Sequence, residues 1–371
     1  MSKQLVLAGG GHAHLETLAN LNRFVEKGYA VTVIGSSEYH YYSGMGPGML
    51  GGTYAPEEIR FATQKVVEKK GGRFISDTIV KIDPDAQRVH LASDTRVSYD
   101  VLSCNLGSSI PRNILKEDGE NIFTVKPIER LLSARKRILE LSSRKKLTIG
   151  IIGGGPSAVE IAGNIEHLTR NPTINAARIK LFPRKTILPH HHPRLRSKAL
   201  ASLTARGIEV LTGCEVQQIN RDGVRLTTGN THELDIIFVA TGVTPSPVFK
   251  DSGMPVGDDG GLPVNRYLQS VTYKNIFGGG DCICFSEAPL DKVGVYAVRQ
   301  NPVLFQNLMA ALDGRELLPF DPGGDYLLIF NLGDGTGIFQ KRRILFGGRI
   351  AFIIKDRIDR NFMRKFQAIE R

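Results

Sequence analysis

Short apolar runs that end in glycine clusters recur along this chain, and each is followed by a helical pattern. The run Gln4–Ala8 meets Gly9-Gly10-Gly11, a helical pattern then extends to about residue 27, and a strand pattern covers 30–34. This order predicts a strand–helix–strand unit of about 30 residues, the size of a mononucleotide-binding half.

The same order appears again in the middle of the chain. An apolar run at 147–152 meets Gly153-Gly154-Gly155, a helical pattern extends to about residue 168, and a strand pattern covers 178–182. Two units this far apart indicate two dinucleotide sites rather than a short structural repeat. We therefore expect an α/β protein with mostly parallel sheets and helices on both faces.

The first glycine loop departs from the usual phosphate-binding fingerprint. It reads Gly9-x-Gly11-x-x-His14, so a histidine stands where a third glycine normally allows close packing of helix and strand. No carboxylate ends the second strand, which leaves Ser36 or Glu38 to hold a ribose. A glycine turn of an ordinary α/β fold is the alternative.

The second loop fits the fingerprint better. It reads Gly153-x-Gly155-x-x-Ala158, with a strand before it and a helix after it. The following strand ends in Pro-Arg184-Lys185, without a carboxylate for a ribose 2′-hydroxyl, and a basic residue there can meet a 2′-phosphate. The loop favours NADPH, or a site that accepts both nicotinamide nucleotides; the alternative is that Arg184 and Lys185 are simply solvated.

Two later segments point to a flavin. A buried strand at 235–240 ends in the small-residue turn Thr241-Gly242, and a strand at 275–279 ends in Gly280-Asp281. The Asp281 carboxylate is placed to accept a hydrogen bond from a ribityl hydroxyl. The order GGG…ATG…GGGD resembles the flavoproteins with two dinucleotide-binding domains, namely disulfide reductases, type II NADH dehydrogenases and sulfide:quinone oxidoreductases.

This resemblance implies two Rossmann-like domains, with the FAD domain split by an inserted NAD(P)H domain. The FAD domain would cover 1–112 and 255–325, the NAD(P)H domain 113–254, and a short C-terminal segment, 326–371, would cover the flavin or meet a membrane. The implied chemistry is hydride transfer from NADH or NADPH to FAD, followed by electron transfer to a quinone or similar acceptor.

The resemblance also implies site residues. Those expected to bind cofactors are Gly9, Gly11, His12, Ala13, Ser36, Gly107, Gly153, Gly155, Pro156, Gly242, Gly280, Asp281 and Tyr296. Those expected at the reacting centre are Pro47 facing the flavin, Glu160 near the nicotinamide, Lys292 beside the pyrimidine edge and Gln300 with Tyr296 at the acceptor pocket. A helix opened by Gly294 would aim its N-terminus at the flavin. For Glu160, a structural helix carboxylate is the alternative.

A narrower resemblance is to the NADH-dehydrogenase-like flavoprotein domain that is found fused to selenophosphate synthetase. The segments that carry it are 10–14, 42–48, 99–103, 125–127, 295–300 and 355–363. We expect the domain to stand alone here, which leaves a link to selenium open. A flavoprotein that donates electrons to a partner in selenium or sulfur metabolism is therefore one alternative, and a flavin-binding module without enzymatic activity is another.

The positions of the cysteines distinguish between the flavoprotein families that the chain resembles. Disulfide reductases carry a Cys-x4-Cys pair where this chain has 41–47, a stretch without cysteine, so a dithiol relay is excluded there. Sulfide oxidation to quinone would need Cys282 or Cys284, which follow Asp281. A buried, unreactive role for Cys282 is the other interpretation.

Composition narrows the picture further. The 371 residues carry a net charge of +11, but the basic residues are dispersed without a nucleic-acid-binding pattern, so no nucleic-acid partner is expected. His190–His192 has no second cluster at metal spacing, so no metal site is expected.

No apolar run reaches the roughly 18 residues of a spanning helix, and no signal peptide fits. We expect a protein of the cytoplasm or of the cytoplasmic face of a membrane.

The C-terminus carries an amphipathic pattern. Apolar residues recur every fourth position at Ile350, Ile354, Ile358, Phe362 and Phe366, with basic residues around them. One face of a helix at this spacing can lie in the interface of an anionic membrane, where a quinone is dissolved. Docking of the same stripe on the FAD domain is the alternative.

Overall fold

Residues 2–111, 114–117 and 119–370 are described by the computed structural model, and they alternate between strands and helices. The helices are α1 (Leu15–Ala19), α2 (Leu21–Glu26), α3 (Gly46–Gly51), α4 (Thr63–Lys69), α5 (Glu129–Ser142), α6 (Pro156–Thr169), α7 (Pro193–Ala205), α8 (Val248–Asp251), α9 (Gly294–Asp313) and α10 (Arg349–Gln367).

The strands, in chain order, are β1 (Gln4–Ala8), β2 (Ala30–Gly35), β3 (His40–Tyr41), β4 (Arg60–Phe61), β5 (Arg73–Ser76), β6 (Ile79–Asp83), β7 (Arg88–Leu91), β8 (Arg96–Ser98), β9 (Val101–Cys104), β10 (Ser108–Ser109), β11 (Ile122–Thr124), β12 (Thr148–Ile152), β13 (Arg178–Phe182), β14 (Glu209–Val210), β15 (Val216–Asn220), β16 (Gly223–Leu226), β17 (Thr231–Glu233), β18 (Ile236–Val239), β19 (Thr244–Pro245), β20 (Leu262–Val264), β21 (Ile276–Gly278), β22 (Ile283–Phe285), β23 (Leu328–Asn331), β24 (Gly337–Lys341) and β25 (Ile344–Gly348).

The first large sheet has the strand order β21-β9-β1-β2-β5, and its pairs are parallel. The first predicted strand–helix–strand unit is confirmed, with one difference in its helix. The helix is divided into α1 and α2 at Asn20, whose Nδ2 donates to the Glu16 carbonyl at 2.9 Å. An asparagine side chain that competes in this way for the helix hydrogen bonds interrupts the turn.

The second large sheet has the order β11-β18-β12-β13-β14, again parallel. Its central strands are covered on both faces, and Ile151 pairs with Leu181 on one side and Phe238 on the other. The second predicted unit is confirmed, since β12, α6 and β13 occupy the expected positions. Three-stranded antiparallel sheets, β6-β7-β8 and β15-β16-β17, lie beside the two units in sequence.

The first sheet takes its strands from both sides of the second sheet in sequence, because β21 pairs with β9. A split first domain predicts such an arrangement. The boundaries at 254 and 325 stay a prediction, and the one between 112 and 113 lies outside the described residues.

The C-terminal segment is an antiparallel sheet, β23-β24-β25, followed by α10. Along α10 the buried side chains are Ala351, Lys355, Asp359, Met363 and Phe366. No helix of the described residues is long and apolar enough to cross a membrane.

The predicted five-residue stripe of α10 does not share one environment. Ile350 and Ile358 are exposed, whereas Phe366 is buried against Phe61, with ring centroids 5.9 Å apart. A step of four residues overshoots a full turn by about 40°, so four steps rotate the stripe by about 160° around the helix. The prediction of one uniform face was therefore wrong, because the stripe begins in solvent and ends in the core.

Candidate active site

The first glycine loop leaves β1 and passes close to the end of β9. Gly9 has a φ of +95°, and a Cβ there would lie 2.3 Å from the Asn105 carbonyl oxygen. A Cβ at Gly11 would lie 2.8 Å from Asn105 Nδ2. Side chains are excluded at both positions, so the two glycines let the loop backbone lie close against the end of β9.

His14 performs the packing that a third glycine would otherwise allow. Its ring is fully buried, Nδ1 lies 2.6 Å from the Gly9 carbonyl oxygen, and Nε2 lies 2.8 Å from Ser103 Oγ. Burial lowers the pKa of His14 to about 4, although the hydrogen bond to Gly9 opposes this. The ring is therefore neutral, with Nδ1 donating to Gly9 and Nε2 accepting from Ser103.

His12 is the next buried histidine of the loop, and its Nδ1 lies 3.0 Å from His40 Nε2. Burial, and after it the charge of Lys126, lowers the pKa of His12 to about 4. His12 Nε2 is buried and has no hydrogen-bond partner among the described residues. A neutral imidazole with one free nitrogen at the phosphate loop can serve a ligand as donor or acceptor.

Asp281 follows β21 and lies at the same edge of the sheet. Its Oδ2 accepts hydrogen bonds from Lys126 Nζ at 2.6 Å and from Ser108 Oγ at 2.7 Å. Gly280 before it has a φ of +73°, and Gly107 has a φ of +67° with open space where a Cβ would stand. The carboxylate is thus fixed by a cation and a hydroxyl.

A flavin dinucleotide fits this first site. The Gly9–Gly11 loop lacks room for side chains of its own, and Asn105 Nδ2, like His12 Nε2, is buried without a partner among the described residues. Unpaired buried polar atoms are costly, so a polar ligand accounts for both. Ala13 is fully buried against Gly279, where a Cβ would lie 2.8 Å away, whereas Ser36 is exposed at the end of β2.

The start of α9 reaches the same region. The helix begins at Gly294, as predicted, and Gln300 on its second turn is buried, with Oε1 accepting from the Gly280 N–H at 2.7 Å. This bond supports the turn before Asp281. Lys292 Nζ pairs with Asp259 Oδ2 at 2.6 Å, so its charge is shared with a carboxylate.

Tyr296 is half-buried on the first turn of α9. Its ring meets that of Tyr326 with centroids 5.8 Å apart, and the Arg299 guanidinium lies 5.7 Å from its centroid. Arg299 also donates to the Gly324 carbonyl at 2.9 Å, which holds the segment before β23 over the helix. The roles expected for Tyr296, Gln300 and Lys292 stay predictions.

The second glycine loop lies between β12 and α6. Gly153 has a φ of +134°, and a Cβ there would lie 2.1 Å from the Ala240 carbonyl oxygen at the end of β18. Gly155 caps α6, Pro156 is its first residue, and no atom lies within 4 Å of a Cβ built at Gly155 or Gly242. The helix N-terminus is thus open on this side, as a pyrophosphate site requires.

Glu160 lies one turn into α6 and faces the C-terminal segment. Its Oε1 accepts from the Asn331 N–H at 2.7 Å. Burial raises the pKa of Glu160 to about 7, although the charge of Lys355 and the Asn331 N–H lower it. A carboxyl group with this pKa exchanges a proton near neutral pH.

Lys355 and Asp359 of α10 form a buried ion pair beside Glu160. Lys355 Nζ donates to Asp359 Oδ2 at 2.7 Å and to the Gly44 carbonyl at 2.8 Å, and the Tyr42 hydroxyl donates to Asp359 Oδ1 at 3.0 Å. Burial alone would lower the pKa of Lys355, but Asp359 and Glu160 raise it, so the lysine is charged. We call Glu160, Lys355, Asp359 and Tyr42 the carboxylate–lysine cluster.

Pro47 belongs to α3, which packs directly against α6. It is the second residue of α3 and is buried. A Cβ at Gly51 of α3 would lie 2.5 Å from Asn164 Oδ1 on α6, so the two helices are in close contact. That Pro47 faces a flavin stays a prediction.

Cys282 and Cys284 lie in surroundings that disfavour the thiolate form. Cys282 is fully buried, and burial raises the pKa of its thiol to about 11, which keeps it protonated at neutral pH. Burial and Asp259 also raise the pKa of Cys284. Because the thiolate is the reactive form, this geometry does not favour Cys282 or Cys284 as a sulfide-oxidising group.

The sequence alone does not predict a site role for several residues of the two sites: Asn105, Ser108, Lys126, His40, Lys355 and Asp359. Lys126 and Asn105 follow the ends of β11 and β9, and the carboxyl end of a parallel strand is the signal that identifies them. Lys355 and Asp359 are an i, i+4 pair of opposite charge within an amphipathic pattern.

Two open glycine loops, each between a strand and a helix of its own parallel sheet, define a dinucleotide-binding protein with two sites, one suited to a flavin. Residues 3–309 match the pyridine nucleotide-disulphide oxidoreductase family. The chain belongs to this family, and its cofactors are FAD and a nicotinamide nucleotide.

Two kinds of relative are similar over nearly the whole chain. The type II NADH:quinone oxidoreductase of Staphylococcus saprophyticus is 26% identical, covering 95% of this chain and 93% of the relative, and that of Staphylococcus aureus is 25% identical, covering 99% and 96%. Among solved structures, NDH2 from Plasmodium falciparum in complex with NADH has a TM-score of 0.83 at 14% identity, covering 100% of this chain and 97% of that one. The sulfide:quinone oxidoreductase from Aquifex aeolicus has a TM-score of 0.78 at 20% identity, covering 99% and 92%.

Proposed function

We propose that this protein passes electrons from a nicotinamide nucleotide through FAD to a quinone at a membrane surface. The observation that carries the proposal is the carboxylate–lysine cluster, which joins the helix of the second nucleotide site to the C-terminal helix. The type II NADH:quinone oxidoreductases that resemble the chain over nearly its full length support the same reaction.

Bound FAD would supply the two-electron step between the nicotinamide and the quinone. The chain supplies protons and charge. Reduction of a quinone to a quinol consumes two protons, and Glu160, which is half-buried and has a pKa near 7, can hold one of them. The buried charge of Lys355 favours an anion that forms beside it.

The test begins with the full-length protein under anaerobic conditions. We expect a flavin spectrum that NADH or NADPH bleaches and a soluble quinone restores. In the Glu160→Gln variant the restoration step should slow by roughly a hundredfold, since a positioned proton donor typically contributes at least that much. Glu68→Gln, an exposed helical control, should behave like the parent.

Two results would refute the proposal. One is a protein that stays colourless after reconstitution with FAD. The other is a flavin that nicotinamide nucleotides reduce but no quinone reoxidises. Equal quinone rates in Glu160→Gln and the parent would remove Glu160 from the proton path while leaving the overall reaction standing.

The membrane part of the proposal rests on the outer face of the C-terminal segment. Large apolar side chains are exposed there: Ile344 (62%), Ile350 (67%), Ile353 (61%) and Ile358 (45%). Exposed basic residues surround them: Lys341, Arg342, Arg343, Arg349, Arg357, Arg364 and Lys365. Apolar groups ringed by cations suit the interface of an anionic membrane.

Flotation with liposomes tests this surface without removing the buried half of α10. The double variant Ile350→Glu/Ile353→Glu should lose binding to anionic liposomes, while the control Val271→Glu, at an exposed valine elsewhere, should retain it. Binding by the parent should weaken at high salt, because each basic residue near the surface contributes about 1 kcal/mol. Flotation that is equal for parent and double variant would contradict the proposal.

A further inference from the structure

The connection from β13 to α7 is basic from its first residues. It opens Pro183-Arg184-Lys185, and no aspartate or glutamate occurs between residue 183 and residue 208. At the matching place in the first unit, Glu38 stands three residues after the end of β2. The two nucleotide sites therefore differ in the charge they present at the end of the second strand, where an adenosine ribose is held in this fold.

The basic connection packs directly on the second glycine loop. The Leu188 N–H donates to the Gly154 carbonyl at 2.6 Å, and a Cβ at Gly154 would lie 2.9 Å from Pro183 Cβ. On the other side, the Gly213 N–H donates to the Lys185 carbonyl at 3.1 Å. The backbone that carries Arg184 and Lys185 is thus fixed beside the loop.

Both basic side chains are available to a ligand. Arg184 and Lys185 are exposed, and Arg184 Nε pairs with Glu215 Oε1 at 2.9 Å. An ion pair this exposed contributes little, so a phosphate dianion can displace Glu215 from the guanidinium. A ribose 2′-hydroxyl, by contrast, would meet no carboxylate from this connection.

The geometry points to a 2′-phosphate subsite formed by Arg184 and Lys185, so that NADPH binds the second nucleotide site more tightly than NADH. This inference rests on the proposed function, because it names the electron donor of the same reaction. It makes Arg184 and Lys185 specificity-determining residues that do not touch the reacting atoms.

The experiment compares two small probes by calorimetry on the FAD-loaded full-length protein. Adenosine 2′,5′-bisphosphate and 5′-AMP differ only in the 2′-phosphate. We expect the bisphosphate to bind at least about tenfold more tightly, the scale of one charge-assisted hydrogen bond. High salt should reduce that difference.

Matched variants locate the effect. Arg184→Ala and Lys185→Ala should each lose most of the preference for the bisphosphate and leave 5′-AMP binding unchanged. Glu215→Gln should strengthen bisphosphate binding, because the competing carboxylate is gone. Arg178→Ala is the control, since this exposed arginine begins β13, at the strand end opposite Arg184, and its preference should equal that of the parent.

The outcomes separate this inference from the proposed function. Equal affinity for the two probes, or a preference that survives in Arg184→Ala and Lys185→Ala, overturns the 2′-phosphate subsite and leaves the proposed reaction standing with NADH. If neither probe binds, and neither NADH nor NADPH bleaches the flavin, the donor site itself is overturned.

Discussion

Replacing Glu160 by glutamine removes a carboxyl group whose environment resists ionisation. Burial moves its pKa from 4.5 to about 7, and this change corresponds to about 3 kcal/mol of folding free energy. Because the folded-state pKa is raised, the stabilisation is complete below pH 4.5 and is lost as the pH rises through 7. Glutamine, which keeps the shape without titrating, has no such dependence.

The measurement is the free energy of unfolding of parent and Glu160→Gln, both FAD-loaded, from urea titrations between about pH 4.5 and pH 8. The difference should move in favour of the variant by about 3 kcal/mol across this range. Glu68→Gln, at an exposed helical position, is the control. A difference between parent and Glu160→Gln that is flat with pH would refute the argument that Glu160 is ionised at a cost.

Three further predictions concern the parts that hold the two sites. Asp281→Ala should weaken the affinity for FAD roughly ten- to over a hundredfold, because a hydrogen bond to a charged acceptor contributes about 1.5–3 kcal/mol. An unchanged flavin content in the purified variant would contradict this prediction. His14→Ala leaves the buried Ser103 hydroxyl and the Gly9 carbonyl unpaired. The free energy of unfolding, measured in urea, should fall by about 1–3 kcal/mol for each unpaired group. A urea midpoint equal to that of the parent would contradict the hydrogen-bond assignment. Gly163→Ala should lower the free energy of unfolding by about 1–3 kcal/mol, because a Cβ there would lie 2.1 Å from the Leu332 carbonyl oxygen. Gly324→Ala, where a Cβ meets open space, is the control and should leave the melting temperature unchanged. Equal melting temperatures for the two variants would show that α6 is not in tight contact with the C-terminal sheet.

The two strand–helix–strand units were predictable because the cause of each is local. Glycine clusters between an apolar run and a helical pattern fix a turn that few other sequences allow, and β13 begins and ends where its pattern does. The interruption at Asn20 was missed, since its competing hydrogen bond depends on side-chain geometry rather than on apolar spacing.

The carboxylate–lysine cluster was only partly predictable. The sequence identifies Glu160, but its amphipathic pattern assigns no site role to Lys355 or Asp359. Both are buried, and their partners Tyr42 and Gly44 lie more than three hundred positions earlier. Hydrophobic periodicity relates residues that are close in sequence. It cannot relate residues more than three hundred positions apart, which only the tertiary fold brings together.

The histidine at the third position of the first glycine loop limits which single substitutions that loop tolerates. His14 donates to the Gly9 carbonyl and accepts from the Ser103 hydroxyl, so one side chain joins the glycine loop, the short helical turn after it and β9. Glycine at position 14 would leave a cavity and two unpaired polar groups, and a compensating change at Ser103 would still leave the Gly9 carbonyl without its donor. The first loop therefore depends on His14 as other phosphate loops depend on their third glycine, and a sequence pattern that demands glycine at that position does not match this chain.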